Sequence, residues 1–412
     1  MKRSIWNWLF LISSFGLGIL LGFAVWQETF PEWRGYQAAY YRRLAQVTGD
    51  PSKAGTPLKI RQIYLPEFHR VDRCITCHVG IDNPKMKGQP QPFAAHPDLG
   101  IPGFLEKHSF TEMGCTVCHN GQGPATTKEH AHGHVKHWEE PMLDKELTIA
   151  TCATCHQNVM NLQGTERLAQ AKALFDEKGC IGCHSLHGVG NQIGPELAET
   201  AYKSEDQFDF RGVRGEHTVV NWIEEHFKDP QQVTPGDPAI GIPETPMPNY
   251  ELSDDETKML TALILSFAYS EEKEGQPIPS RFKVAGAAPE KTEPVYTSSA
   301  ERGKAVFQKY GCMACHGIGG RGGVRNVNME PGEEVPPLIY VADGFTKEEL
   351  KDVIRHGRYP PKADSKGPTP PLWMPAWKDK ISEEELDPLV DYLLSLHPES
   401  RQKAAPQSAK EG

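Results

Sequence analysis

The chain has 412 residues, of which 38% are hydrophobic, and it carries a formal net charge of −10 at pH 7. The negative charge argues against a nucleic-acid-binding protein, and the length leaves room for two or three domains. The hydrophobic fraction is low for a globular chain, whereas glycine (38 residues) and proline (34 residues) are abundant. This composition is typical of a loop-rich protein whose cores are built partly around bound groups.

The N-terminal segment predicts a membrane anchor. Residues 5–27 are largely apolar and contain no ionisable side chain, and about 20 such residues suffice to cross a bilayer as a helix. Lys2 and Arg3 place residues 1–4 in the cytoplasm by the positive-inside rule. A cleaved signal peptide is the alternative, because Gly22-Phe23-Ala24 has the small-x-small form of a cleavage site. Both interpretations export the remainder of the chain, and we expect it in the periplasm, held at the inner membrane of a bacterium by this anchor.

The next segment, residues 28–59, begins with a predicted helix. Residues from Phe30 to Leu44 are rich in aromatic side chains and arginine. Such a helix is expected to lie along the membrane surface or against a partner subunit, and an ordinary solvated linker helix is the alternative.

All ten cysteines belong to C-x-x-C-H pentapeptides, a pattern typical of covalent haem attachment. The two thiols bond the vinyl groups of one porphyrin, and the histidine supplies an axial nitrogen to the iron. The sequence therefore predicts five covalently bound haem c groups. The five motifs are Cys74-Ile-Thr-Cys77-His78, Cys115-Thr-Val-Cys118-His119, Cys152-Ala-Thr-Cys155-His156, Cys180-Ile-Gly-Cys183-His184 and Cys312-Met-Ala-Cys315-His316.

Other uses of paired cysteines fit this pattern poorly. A zinc site does not require a histidine directly after the second cysteine. A thioredoxin-like motif would occur once, near a βαβ pattern that the sequence lacks. Structural disulfides would not repeat a histidine at the same offset five times.

The fold class we predict is mainly α with much irregular structure. Motifs one to three lie about 40 residues apart. This spacing is too short for a separate helical domain around each haem. We therefore predict that residues 60–165 form a compact trihaem module. Residues 166–270 and 299–397 repeat one plan and predict two helical domains in series. Residues 271–298 are expected to be a linker, and the polar residues 398–412 a disordered tail.

The two repeats share helix signals on both sides of their motifs. In each, an amphipathic pattern ends at a glycine, Gly179 or Gly311, directly before the first haem cysteine. In each, a capping box, beginning at Ser253 or Ser382, opens a final helix. Pro388 lies one turn into the last of these helices and is expected to kink it.

The sixth iron ligands are predicted from methionine and histidine. Met247 and Met374 lie in proline-rich loops slightly more than sixty residues after their haem cysteines, just before the final helices. The trihaem region offers instead seven histidines outside its motifs, from which we select His96, His108 and His137 as distal ligands. The seven are His69, His96, His108, His130, His132, His134 and His137. The histidines of the repeats outside the motifs, including His226, are expected to be solvated or to fill packing positions.

Methionine–histidine ligation raises a haem potential, so the ligand sets suggest a direction. Electrons are expected to enter at the membrane-proximal trihaem module and to leave through the two repeats.

The two repeats resemble class I cytochrome c. The resemblance rests on a helix containing Phe175 or Phe307, the motif directly after it, a downstream proline, the methionine and a final helix. Gly194-Pro195 supplies that proline in the first repeat, and Pro336-Pro337 offers two candidates in the second. The glycine that packs the two helices in this family matches Gly303, whereas the first repeat has Ala171, which is expected to loosen the crossing.

The whole arrangement resembles the multihaem cytochrome c subunits that accompany cytochrome b and Rieske proteins in bacterial quinol-oxidising complexes. Residues 115–123 and 137–141 look like that group, and the pentahaem subunit of alternative complex III is a neighbouring possibility. The resemblance implies electron acceptance from a quinol-oxidising partner in the membrane and delivery to a soluble periplasmic acceptor or a terminal reductase. No catalytic residue is predicted, because each iron has a candidate sixth ligand. The alternative function is a multihaem enzyme, such as a peroxidase or a nitrogen-oxide reductase, with one open iron position.

Overall fold

The computed structural model describes residues 2–97, 100–200, 202–237, 244–270, 278–285 and 295–398. The chain divides into two compact units. The first runs to Asp144 and includes a short segment ending at Ser280; the second begins at Lys145 and contains the rest. Most of the predicted linker (271–298) and almost all of the predicted tail (398–412) lie outside the described residues.

The described chain is mainly α-helical, as predicted. Its α-helices are α1 (Lys2–Thr29), α2 (Glu32–Thr48), α3 (Phe104–Lys107), α4 (Phe110–Met113), α5 (Thr116–His119), α6 (Lys128–Ala131), α7 (Glu166–Lys178), α8 (Leu197–Thr200), α9 (Val219–Lys228), α10 (Pro230–Val233), α11 (Asp254–Tyr269), α12 (Ser299–Lys309), α13 (Met313–His316), α14 (Val341–Gly344), α15 (Lys347–His356) and α16 (Glu383–Ser395). Two antiparallel ladders join β1 (Ile63–Leu65) to β2 (Arg70–Asp72) and β3 (Ser185–Leu186) to β4 (Val189–Gly190).

Helix α1 contains a 22-residue apolar stretch, Ile5–Trp26, with a mean hydropathy of 2.1 and no residue buried against the protein. A stretch of this length and composition suits a membrane span or a signal sequence. An apolar helix with every face exposed has no protein core to pack into, so its burial requires another apolar phase.

Helix α2 packs one face against its own unit, and a membrane, partner or solvent environment for its exposed face stays a prediction. Its Trp33, Gln37 and Tyr40 are buried. The Gln37 amide donates to the carbonyl oxygens of Lys59 (2.6 Å) and Thr76 (2.9 Å), and the Lys59 N–H donates back to Gln37 Oε1 (3.0 Å). Thr76 lies within the first haem motif, so α2 fixes the backbone of that motif.

The second unit contains two pairs of helices that pack through apolar side chains. Helix α7 packs on α11 around Ala171, Phe175 and Leu263, and α12 packs on α16 around Phe307 and Leu389. These are the helices that the two repeats predicted.

The helix ends also match the sequence signals. Helix α7 ends at Gly179, which has a left-handed φ of 73°, and capping boxes open α11 at Ser253 and α16 at Ser382. Helix α16 continues through Pro388 to Ser395.

The third haem motif belongs to the second unit. Its first three residues end a 3₁₀ segment, Thr148–Thr154, that packs against α11. The division between the units therefore falls at Asp144, whereas the sequence placed the end of a trihaem module at residue 165. The 3₁₀ segment buries Ala150 and Ala153. Because α11 belongs to the second unit, this packing places the third motif in the second unit as well.

Candidate haem sites

Each of the five haem motifs forms one tight turn. In every case the backbone N–H of the histidine donates to the carbonyl oxygen of the first cysteine, at 2.9 Å for His78 and 3.0 Å for His119, His156, His184 and His316. A helical turn places residues three apart on one face. The two cysteines of each motif can therefore reach the same porphyrin edge, which is the first requirement for attaching a haem.

The axial histidines of the second unit are oriented for iron. His184 Nδ1 lies 2.9 Å from the carbonyl oxygen of Pro195, and His316 Nδ1 lies 3.2 Å from that of Pro336. A carbonyl oxygen can only accept, so Nδ1 carries the proton in both rings and Nε2 keeps the lone pair that binds a metal. Of the two prolines that the sequence offered in the second repeat, the structure selects Pro336.

Burial favours the form of these rings that binds metal. Desolvation lowers the pKa of His184 and of His316 below the ordinary histidine value. The neutral imidazole therefore predominates at neutral pH, and iron binding needs no proton to leave Nε2.

Gly194 makes room for the His184 ring. A Cβ atom at position 194 would lie 2.4 Å from His184 Cε1 and 2.6 Å from Nδ1. The glycine before Pro195 is thus required for the close approach of the ring to the proline carbonyl.

Two pairs of histidine rings in the first unit lie at the separation of axial ligands. Ring centres are 6.5 Å apart for His78 and His132, and 6.1 Å apart for His96 and His119. Two imidazoles on opposite sides of one iron have centres about 6 Å apart, since a metal–nitrogen bond is about 2 Å long and the nitrogen lies about 1 Å from the ring centre. Each pair joins a motif histidine to a histidine from elsewhere in the unit.

His96 also has the orientation of a ligand. Its Nδ1 lies 2.9 Å from the carbonyl oxygen of Pro97, which leaves Nε2 with its lone pair, as in His184 and His316. The structure thus pairs His96, a predicted distal ligand, with the second motif.

The other two predicted distal histidines have different surroundings. His108 Nδ1 lies 2.9 Å from the Phe104 carbonyl oxygen, and its ring stacks on Phe104. His137 has a left-handed backbone, with φ at 68°. From the group His130 to His137 the sequence preferred His137, but the ring that faces His78 is that of His132.

Asp72 is a functional residue that the sequence did not reveal. Its carboxylate is fully buried and accepts hydrogen bonds from the backbone N–H of Cys115 (2.5 Å), the N–H of Thr116 (2.9 Å) and the Thr116 hydroxyl (2.8 Å). The side chains of Cys74 and Cys115 lie next to each other. Asp72 therefore holds the second motif against the first, and only the fold brings these residues together.

The predicted methionine ligands lie in loops fixed by backbone hydrogen bonds. Met374 exchanges two bonds with Arg358, its N–H donating at 3.0 Å and its carbonyl accepting at 2.8 Å, and its side chain packs against the core of its domain. The Met247 carbonyl accepts from Gln231 Nε2 at 2.6 Å. Both methionines remain predictions as iron ligands.

His226 is half-buried near His184 and fills a packing position, one of the two roles expected for it. Burial lowers the pKa of His226 to about 4, and the neighbouring His184 adds to this shift. Its ring stacks on Trp222, with centres 4.6 Å apart, and among the described residues its Nδ1 has no hydrogen-bond partner. The i, i+4 pairing of Trp222 and His226 was visible in the sequence, but the proximity to His184 was not.

Comparison with known families identifies the repeats. The cytochrome c family model matches the chain twice, over residues 168–268 and 300–397. Comparisons with curated proteins and with solved structures found no match. The matched segments contain α7 to α11 and α12 to α16, with the motif turns and proline-bound histidines described above. Residues 168–268 and 300–397 are therefore cytochrome c domains, which bind haem c covalently and use its iron to transfer electrons.

Proposed function

We propose that the chain is a membrane-anchored pentahaem c-type cytochrome that passes electrons from a quinol-oxidising partner in the membrane to periplasmic acceptors. The observation that carries this proposal is the use of all ten cysteines in five C-x-x-C-H motifs, each folded into the same turn. The turns outside the cytochrome c domains have the geometry of those inside them, which supports haem at all five.

The axial histidines support electron transfer rather than chemistry on a bound substrate. The pairs His78–His132 and His96–His119 would close both axial positions of their irons, and Met247 and Met374 are our candidates in the two domains. An iron with two protein ligands changes its charge with little movement of atoms and leaves no position for a substrate.

Location supports the same proposal. The exposed apolar helix α1 lies at the N-terminus, and cytochrome c domains suit an extracytoplasmic compartment. We propose that α1 anchors the chain in the bacterial inner membrane with the haems in the periplasm. A cytochrome b/Rieske-type complex is the proposed electron donor, and a soluble carrier is the proposed acceptor.

The test is purification of the full-length protein from membranes in mild detergent. Intact-mass measurement should show five haem additions, and the co-purifying subunits should include a cytochrome b. Reduced protein should bind carbon monoxide at none of the five irons. Fewer than five additions would overturn the pentahaem assignment. Stoichiometric binding of carbon monoxide would favour a multihaem enzyme, and purification without a quinol-oxidising subunit would contradict the proposed partner.

A further inference from the structure

The two cytochrome c domains contact each other through their haem-binding turns. Gly182 is the third residue of the motif that begins at Cys180, and Gly311 directly precedes Cys312. A Cβ atom at position 182 would lie 2.1 Å from the Gly311 carbonyl oxygen, and one at position 311 would lie 2.3 Å from the Gly182 nitrogen. The backbones of the two turns therefore touch, and no side chain fits between them.

The same contact extends to the residues around these glycines. A Cβ atom at position 182 would also lie 2.9 Å from the Ala314 Cβ, and one at position 179 would lie 2.7 Å from the Met313 Cγ. Met313 and Ala314 are the two residues between the cysteines of the fifth motif. At the edge of the contact, the Lys380 ammonium donates to the Gly190 carbonyl oxygen. The haem-binding turn of each domain therefore packs against the haem-binding turn of the other.

The contact brings together the sulfurs that carry the two haems. The side chains of Cys183 and Cys315 lie next to each other. Each is the second cysteine of its motif, the one directly before the axial histidine. Because a thioether joins each sulfur directly to its macrocycle, neighbouring sulfurs imply neighbouring macrocycle edges.

We propose that Gly182 and Gly311 are spacing residues that hold the fourth and fifth haems as one fixed pair, with the Cys183 and Cys315 thioethers in contact. With haem bound at both turns, this pairing would allow one electron to pass between an Fe(II) and an Fe(III) centre without forming or breaking a bond or moving a proton. The pairing deepens the proposed function but depends only on the two cytochrome c domains.

The test is circular dichroism of the full-length protein in the Soret region, because two neighbouring haems couple their transitions and give a band with two signs. The Gly182→Ala variant adds the clashing Cβ atom and should remove this contribution, while the mass still shows the same haem additions and the irons stay low-spin. The matched control is Ile181→Val in the same turn, because Ile181 packs in the core of its own domain; it should keep the wild-type spectrum.

A second variant changes a residue on the other side of the contact, in the second cytochrome c domain. Ala314→Leu adds bulk beside Gly182 and should have the same effect as Gly182→Ala, so the test survives if one variant fails to fold. A wild-type spectrum without a two-signed band, or a folded variant of either kind with the wild-type band, would overturn the pairing. Either result leaves the pentahaem assignment intact if five haem additions are present. A mass with only two additions would overturn the pentahaem assignment instead, while a two-signed band in that protein would still support the pairing.

Discussion

Gly303 of α12 lies directly beneath the carbonyl oxygen of Pro388 in α16. A Cβ atom at position 303 would lie 1.8 Å from that oxygen and 2.7 Å from the Tyr392 Cβ. Since both neighbours belong to a helix packed into the core, neither can move away as a flexible side chain would. The crossing of the two helices depends on this glycine.

Gly303→Ala should therefore destabilise the second cytochrome c domain. Alanine favours an isolated helix over glycine by about 1 kcal/mol, but the overlap forces the helices apart, and overpacking costs about 1–3 kcal/mol. We expect a net loss of stability in urea unfolding of the full-length protein, followed by the spectrum of the fifth haem.

The matched control for this substitution is Gly344→Ala, because no atom lies within 4 Å of a Cβ at position 344. Because Gly344 also lies in a helix, α14, this variant should unfold at the wild-type urea concentration or at a higher one. Equal stability of Gly303→Ala and wild type would show that the helices separate without cost.

The helices of the two cytochrome c domains could be predicted from the sequence because their signals are local. The glycine before each motif, the capping boxes at Ser253 and Ser382 and the amphipathic helices all act within a few residues. The close crossing of α12 and α16 at Gly303 was also predicted, from the resemblance to class I cytochrome c. In the first domain the corresponding Ala171 is fully buried between α7 and α11, so that crossing accommodates the methyl group.

The surroundings of the first three motifs were less predictable because they depend on residues distant in the chain. Asp72 meets Cys115, and His132 meets His78, through loops without regular periodicity. Gln37 reaches Thr76 from a helix for which the sequence left a membrane surface, a partner surface and a solvated linker open. A count of histidines supplied the candidates for ligation, but the choice among them required the fold.

The structure and the sequence favour different distal ligands for the first haem, His132 and His137 respectively. His132→Asn should leave that iron without its sixth ligand, because asparagine is a poor ligand for haem iron, and a high-spin signal of one iron in five should appear in the EPR spectrum. His137→Asn is the matched control, since asparagine tolerates the left-handed backbone found there; it should keep all irons low-spin. The reverse result would restore His137 as the ligand.

Met247 is the predicted sixth ligand of the fourth haem, and His226, which lies near His184, is the alternative to be tested. Met247→Leu conserves volume but removes the thioether, so we expect loss of the methionine–iron absorption band of this domain and a lower potential, because methionine ligation raises it. His226→Phe keeps the stacking on Trp222 and removes a buried Nδ1 for which the described residues provide no partner. It should leave the iron low-spin and the stability unchanged or about 1 kcal/mol higher. A high-spin iron in His226→Phe, with a normal spectrum in Met247→Leu, would assign the ligand to His226.

Gln37→Leu should weaken the first unit at its first motif. Leucine has a similar size to glutamine and suits a site that is 1% exposed. It leaves the Lys59 N–H and the carbonyl oxygens of Lys59 and Thr76 without their hydrogen bonds to residue 37. A buried polar group left unsatisfied costs about 1–3 kcal/mol, so we expect at least about 2 kcal/mol less stability in urea unfolding of the full-length protein. Gln46→Leu on an exposed position of the same helix is the matched control and should change stability by less than about 0.5 kcal/mol. If both variants unfolded alike, the Gln37 hydrogen bonds would not be what holds α2 to the haem motif.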